Sequence, residues 1–136
     1  MDELDRKIIM ILLHDARQSL QEIASKAGVS KATVGNRLRE LEKNVLIGYR
    51  ARVNFSLLSM DDVILGLDIM PEKYLEAIDR ISSLDFVVEL YLTSGDHVAI
   101  ARVVDDKNRI QESIGKIASV DGVRKIYPAF VQKIVK

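Results

Sequence analysis

The sequence predicts an α+β chain made of a helical N-terminal domain and a C-terminal domain with four antiparallel strands and two helices on one face. Apolar residues recur at helical spacing three times before residue 44, which predicts three helices. The second half contains two similar segments, offset by 36 residues, that each read as a helix followed by a strand. We therefore predict a helical domain over 1–47, a linker strand over 48–62 and a sheet domain over 63–136.

Composition narrows the classes of function. The chain has 136 residues and no cysteine, and its two histidines, His14 and His97, lie far apart, which argues against a metal cluster or a cofactor. No run of about 18 uncharged apolar residues is present, so we expect no membrane span. Met1 leads into acidic residues, unlike a signal peptide, and we expect a cytoplasmic protein. No glycine-rich phosphate loop or nucleophile motif appears, so we expect no enzyme.

Charge is divided unevenly along the chain, although the formal net charge is zero. Residues 1–60 hold 10 Lys and Arg against 7 Asp and Glu, whereas residues 61–136 hold 10 against 13. A polyanion is therefore attracted to the first half and repelled by the second. The asymmetry favours a nucleic-acid-binding half joined to a half with another role.

Two short helices are predicted before residue 28. The first covers Asp5–Leu13 and carries a wide apolar stripe. The second begins after Ser19, which forms a capping box with Glu22, and Gly28 can end it in the left-handed conformation.

The third helix runs from Ser30, its N-cap, to Lys43. Val34, Leu38 and Leu41 form one apolar stripe, and the opposite side carries small, amide and cationic side chains. Two helices joined by a short turn containing glycine predict a helix-turn-helix over 20–43 that binds double-stranded DNA. An ordinary helical hairpin with a solvated outer face is the alternative.

The predicted base contacts lie on the outer side of the third helix. Asn36 suits adenine and Arg39 suits guanine, because each can form two hydrogen bonds with that base. Lys31, Ala32 and Thr33 lie at the end of the helix that enters the major groove in this motif.

The predicted phosphate contacts are Arg37 and Lys43, with Ser30 as a neutral donor. The alternative for Arg37 is a salt bridge within the domain, for instance to Glu40 or Glu42.

After the third helix, Asn44 can end the helix in the left-handed conformation. Apolar and polar residues then alternate over 48–54, which predicts a wing or linker strand. Arg50 and Arg52 share one side of it; a phosphate contact and plain solvation remain equally open.

A series of short motifs runs through this half of the chain. It comprises Asp5 with Ile8–Leu13, Asp15-Ala16-Arg17, Glu22-Ile23-Ala24, Gly28-x-Ser30, Thr33-Val34, Arg37, Leu41-Glu42 and Gly48-Tyr49-x-Ala51. In this order the motifs resemble the N-terminal half of the Lrp/AsnC (feast/famine) transcription regulators. The resemblance implies a winged helix-turn-helix domain, a C-terminal ferredoxin-like domain of the RAM type, and regulation of transcription.

The repeat in the second half predicts the order β-α-β-β-α-β. Strands are expected over 63–70 and 97–104, a turn at Ser94-Gly95-Asp96, and helix starts near Pro71 and Asp105-Asp106. Such a split βαβ unit forms a ferredoxin-like fold. The identical pairs are Glu76/Glu112, Ile78/Ile114, Ile81/Ile117, Ser83/Ser119, Asp85/Asp121, Val87/Val123 and Tyr91/Tyr127.

The strands read as apolar on both faces, as in Ile64, Leu65, Leu67 and Ile69. A bare apolar sheet face predicts burial against a second copy, hence a homodimer that binds a pseudo-palindromic operator. The resemblance implies the same dimer and further assembly to a tetramer or octamer.

The resemblance also implies a small-molecule effector such as an amino acid, bound at the turn of the middle hairpin. The corresponding residues are Gly95, Asp96 and His97, with His97 and Val98 where the family often carries Tyr and Asp. A plain hairpin turn is the alternative. For the whole chain, the alternatives are a metabolite-binding oligomeric module without a DNA-binding role and, more remotely, an enzyme.

Overall fold

The computed structural model describes residues 1–136, which form two compact units, Met1–Arg52 and Val53–Lys136. The first unit consists of three helices, α1 (Glu3–His14), α2 (Leu20–Ala27) and α3 (Lys31–Asn44). All three predicted helices are present.

The helix ends follow the predicted capping chemistry. Asp2 caps α1 and forms a capping box with Asp5, so this helix begins two residues before the predicted start. Ser19 and Glu22 form the predicted box at the start of α2. Gly28 ends α2 with a φ of 74°, a left-handed conformation that glycine adopts without strain.

The core of the first unit lies between the three helices. Val34 is fully buried, and Leu38 and Leu41 are nearly so, which confirms the predicted stripe. Ala24 is 1% exposed where α2 packs in this core, so a larger side chain there would push the helices apart. The buried members of the core are Ile8, Leu12, Ile23, Ala24, Ala27, Val34, Leu38 and Leu41.

The segment after α3 differs from the prediction. Asn44 stays in the helix, and the capping residue is Val45, with a φ of −92°. Residues 45–54 form no strand within the chain, which contradicts the strand predicted over 48–54. Alternation alone does not make a strand, because a strand also needs a hydrogen-bonded neighbour, and this segment pairs with no other strand of the chain.

The second unit has the predicted β-α-β-β-α-β order. Its elements are β1 (Met60–Ile69), α4 (Tyr74–Ser82), β2 (Val87–Leu92), β3 (Ala99–Asp106), α5 (Ile110–Ala118) and β4 (Val123–Phe130), with 3₁₀ turns at Phe55–Leu58 and Pro71–Lys73. The sheet order is β2-β3-β1-β4, and all paired strands are antiparallel. The two helices, and likewise β2 and β4, begin 36 residues apart, so the sequence repeat is a structural repeat.

The starts of α4 and α5 differ from the predicted helix starts. Pro71 lies in a separate 3₁₀ turn rather than in α4 itself. Asp105 and Asp106 end β3, and α5 begins only at Ile110. Asp105 nevertheless connects β3 to that helix, because its carboxylate accepts a 2.6 Å hydrogen bond from the Ser113 hydroxyl. This bond lowers the pKa of Asp105.

The two helices cover one face of the sheet, as predicted. Alternate residues of β1 point toward them and are buried, so Leu65, Leu67 and Ile69 belong to the core rather than to the other face. The buried members of this core are Val63, Leu65, Leu67, Ile69, Ala77, Ile81, Ala99, Ala101, Val103, Ile110, Ile114 and Ile117.

The opposite face of the sheet, which we call the open face, is less apolar than predicted. Arg102 on β3 bridges two carboxylates there: its Nη2 lies 2.6 Å from Asp62 Oδ2 and its Nη1 lies 3.1 Å from Glu89 Oε1. The hydrogen bonds that Arg102 donates to Asp62 are the main reason that the pKa of Arg102 is raised. The open face therefore combines an ionic network with the exposed apolar side chains of Ile64 and Tyr91.

Candidate nucleic-acid interface

The turn between α2 and α3 places two hydroxyl groups at the start of α3. Only Gly28, Val29 and Ser30 separate the two helices. The Ser30 hydroxyl accepts the Thr33 backbone N–H at 3.1 Å and contacts the Thr33 hydroxyl at 2.8 Å. Both hydroxyls thus lie where unpaired N–H groups and the helix dipole attract an anion.

The outer side of α3 is open to solvent along its length. Lys31, Ala32, Asn36, Arg39 and Lys43 are exposed. Thr33 and Arg37 are half-buried. Because the apolar stripe is buried against the other two helices, α3 presents this polar side outward.

Arg37 is the one predicted DNA contact that the structure assigns to another role. Its Nη1 lies 2.7 Å from Asp2 Oδ2 and 3.1 Å from Asp5 Oδ1, so it joins α3 to the start of α1. The charge that a phosphate would meet is offset by two carboxylates. The predicted alternative was a salt bridge within the domain, but the partners are 35 and 32 residues away rather than Glu40 or Glu42.

This ion cluster also shifts the pKa of its members. The hydrogen bond from Arg37 is the largest of the effects that lower the pKa of Asp2 to about 2. The same bond is the main reason that the pKa of Arg37 is raised. The acidic start of the chain was interpreted only as a helix cap, and its second role depends on the packing of α1 against α3.

The other cations of α3 remain at the surface. Lys43 Nζ lies 2.9 Å from Glu40 Oε1, an exposed pair on one helix face, and Lys31 forms no ion pair. Arg39 Nη2 donates a hydrogen bond to Asn36 Oδ1. These three cations are the positive groups that the helix offers to a polyanion.

Gly35 lies in the middle of this surface without a packing reason. A Cβ there would meet Leu20 Cδ1 at 3.7 Å and Arg39 Nη1 at 3.9 Å, which are ordinary contacts. Glycine destabilises a helix interior by about 1 kcal/mol relative to alanine. The absent side chain leaves room beside the helix at this point, which the Arg39 guanidinium borders.

Sequence reasoning missed one residue near α3. The Tyr49 hydroxyl donates a 2.8 Å hydrogen bond to Glu42 Oε1, which ties the irregular segment after α3 back to the helix. Partial burial and this bond raise the pKa of Tyr49 to about 12. Tyr49 was interpreted as part of a strand, so only the tertiary structure reveals this contact.

The predicted effector residues lie in and beside the turn of the middle hairpin, and their side chains have different surroundings. Gly95 and Asp96 are exposed in the turn of the middle hairpin, where Gly95 has a φ of 112°. The Thr93 backbone N–H donates a 3.2 Å hydrogen bond to the Val98 carbonyl and closes this turn. The His97 ring instead lies against Gly66 on the open face, since a Cβ at that glycine would be 2.6 Å from it.

Comparison with known proteins identifies the chain. Residues 1–42 match the AsnC-type helix-turn-helix domain. The HTH-type transcriptional regulator LrpA of Pyrococcus horikoshii is 40% identical over 139 residues, which cover 99% of each chain. The chain belongs to the Lrp/AsnC family. It is a DNA-binding transcriptional regulator, as predicted, and not a metabolite-binding module without a DNA-binding role or an enzyme.

Solved structures of Lrp/AsnC regulators have the same fold. Escherichia coli AsnC is 26% identical, and the likeness covers 100% of this chain and 95% of that one with a TM-score of 0.72. A Neisseria meningitidis regulator solved as a complex with L-Met is 19% identical to this chain. The likeness covers 100% of this chain and 92% of that one, with a TM-score of 0.74. The α+β fold class is therefore confirmed for both halves of the chain. No helix is both long and apolar enough to cross a membrane.

The ion cluster of Asp2 and Arg37 gives a prediction about acid stability. The pKa of Asp2 is lowered from 3.8 to about 2 by folding, so its contribution to stability is fully present above about pH 4 and is lost as the pH falls toward 2. We expect Asp2→Asn to lower the Tm near neutral pH and to reduce the fall of Tm between about pH 4 and pH 2.

Thermal unfolding followed by circular dichroism at several pH values measures this effect. Glu3→Gln is the control, because it removes a neighbouring acidic group that forms no ion pair. An Asp2→Asn variant whose Tm follows pH as the parent's does would show that the cluster contributes nothing.

Proposed function

We propose that α3 lies in the major groove of operator DNA and that its exposed outer side makes the contacts. The observation that supports this most is the division of the helix: its apolar stripe is buried, while its exposed side carries small and cationic groups. The site comprises Ser30, Lys31, Ala32, Thr33, Asn36, Arg39 and Lys43, without Arg37. Because the target is genomic DNA, the proposal also locates the protein in the cytoplasm.

Different residues of α3 contact the bases and the phosphates in this proposal. Arg39 reads guanine, and the first turn of α3, with Lys31, Ala32 and Thr33, lies near base edges. Lys43 binds a phosphate by leaving Glu40. That exchange costs little, because an exposed ion pair contributes only about 0–1 kcal/mol.

Substitution of the two cations is expected to separate base contact from phosphate contact. Arg39→Ala weakens binding to the preferred operator by about 1–3 kcal/mol and relaxes base preference, because it removes a two-bond contact with one base. Lys43→Ala weakens binding to all sequences alike and reduces the slope of log K against log salt by about 1.

Gel shifts over a salt series, with operator and random duplexes, measure both effects. Lys116→Ala is the control, since it removes an exposed cation from α5 in the other unit. Two α3 variants that bind as tightly and as selectively as the parent would disprove this placement of the interface.

We also propose that the open face of the sheet pairs with the same face of a second copy. The open face exposes three large side chains, Ile64 at 43%, Tyr91 at 53% and Tyr127 at 42%. A second copy packed on this face would remove their apolar surface from water. Such a homodimer, alone or assembled into a tetramer or octamer, carries two copies of α3 and suits a pseudo-palindromic operator.

Half-site spacing tests the dimer. We expect tight binding when two half-sites lie about 34–36 Å apart or a multiple of that distance, because each must present its major groove to one copy of α3. Inserting about half a helical turn should weaken binding, and a full turn should restore part of it. Affinity that does not depend on spacing would rule out paired recognition, and sedimentation of the full chain distinguishes dimer, tetramer and octamer.

A small-molecule effector, such as an amino acid, is the third part of the proposal. It is supported by the exposed turn with Gly95 and Asp96 and by the L-Met complex of the Neisseria meningitidis regulator. Since the His97 ring lies against Gly66, the proposed contact rests on the other two residues.

Amino acids added one at a time to the gel shift should include one that changes operator affinity, because an ammonium group can pair with Asp96. Asp96→Ala should abolish that response, whereas Asp85→Ala, in an exposed turn elsewhere in the same unit, should preserve it. An identical response in Asp96→Ala would remove this turn from effector binding.

A further inference from the structure

Arg39 is exposed, and its side chain folds back over the preceding turn of α3. Its Nη2 donates a hydrogen bond to Asn36 Oδ1, three residues earlier. Its Nη1 lies 3.9 Å from the position of a Cβ on Gly35, four residues earlier. Helix side chains lean toward the N-terminus, so these are the two positions that an arginine head reaches along its own helix.

The bond between these side chains changes what Asn36 offers to a base. Recognition of adenine by asparagine uses both ends of the amide, with Oδ1 accepting from N6 and Nδ2 donating to N7. Here one of the two lone pairs of Oδ1 accepts from Arg39, so the guanidinium orients the amide before DNA is bound. An adenine would have to share Oδ1 with Arg39, which favours a role for Asn36 in holding Arg39 over a role in reading adenine by itself.

Arg39 keeps enough donors to read a base. A guanidinium has five N–H groups, of which the bond to Asn36 uses one. Two parallel N–H groups suffice for the O6 and N7 of guanine. With its head held by Asn36 and lying over a residue without a side chain, Arg39 is already oriented before DNA arrives.

We propose that Asn36 is a positioning residue that holds Arg39 for one guanine, so that the two side chains specify a single base pair rather than an adenine and a guanine separately. This inference rests on the proposed function, because it assumes that the outer side of α3 faces the major groove. Arg39 then determines which base is preferred, and Asn36 holds Arg39 in the orientation that this contact requires.

The test compares the full-length parent with Asn36→Ala, Arg39→Ala and the double variant. Base preferences come from selection of bound sites out of random duplexes, and affinities from titration of the selected operator. We expect Arg39→Ala to lose the guanine preference at one position of each half-site, by about 5- to 150-fold. Asn36→Ala should weaken the preference at that same position, and the double variant should resemble Arg39→Ala because the two residues act as one unit.

Two further variants sharpen the comparison. Asn36→Asp keeps an oxygen that can hold Arg39, so the guanine preference should persist despite weaker overall binding. If Asn36 instead contacted a base itself, aspartate would favour cytosine at that base. Lys31→Ala is the matched control: it is exposed on the same helix, and its effect should add to that of Arg39→Ala.

The outcomes are distinguishable. Loss of an adenine preference at a second position in Asn36→Ala, with additive losses in the double variant, would overturn the inference and leave the proposed function intact. A uniform loss across all sequences in Asn36→Ala would overturn it too, because positioning acts on one base. A parent chain that selects no sequence would overturn the proposed function, and this inference with it.

Discussion

Burial of one stripe of α3 against α1 and α2 is the constraint on which the DNA-facing surface depends. Val34, Leu38 and Leu41 each remove an apolar side chain from water, and full burial of such a side chain stabilises a fold by about 1.5–3 kcal/mol. Because these three residues fix the rotation of the helix about its axis, they also decide which residues face outward. Ala24 permits the close approach, and the Arg37 cluster with Asp2 and Asp5 adds a polar contact at one end of the same packing.

The sheet unit obeys a different constraint, since each strand sends alternate residues to opposite faces. The helix-covered face is mostly apolar, whereas the open face combines exposed aromatic and aliphatic groups with the network of Arg102, Asp62 and Glu89. A face of this kind suits an interface better than a core, because a bridging arginine whose partners are already present limits the cost of removing these charges from water. In the proposed homodimer, the same mixture would restrict the ways in which the two open faces can pair.

Most of the secondary structure followed from local chemistry. The serine and aspartate caps, the glycine that ends α2 and the 36-residue repeat all have short-range causes that can be read along the chain. The strand predicted over 48–54 failed because strand formation depends on a neighbour that the alternation of residues does not reveal. The open face is less apolar than the sequence predicted, because the prediction treated the residues of β1 as one apolar run and not as two alternating sets.

The sequence by itself determined the family, the order of the elements and which side of α3 is polar, since periodicity, caps and motif spacing are local properties. Only the tertiary structure decided the partners of the long polar side chains. Arg37 lies against residues more than thirty positions away, and Tyr49 reaches back to Glu42. Contacts of this kind join different segments of the chain, so they depend on how those segments pack and not on any local pattern.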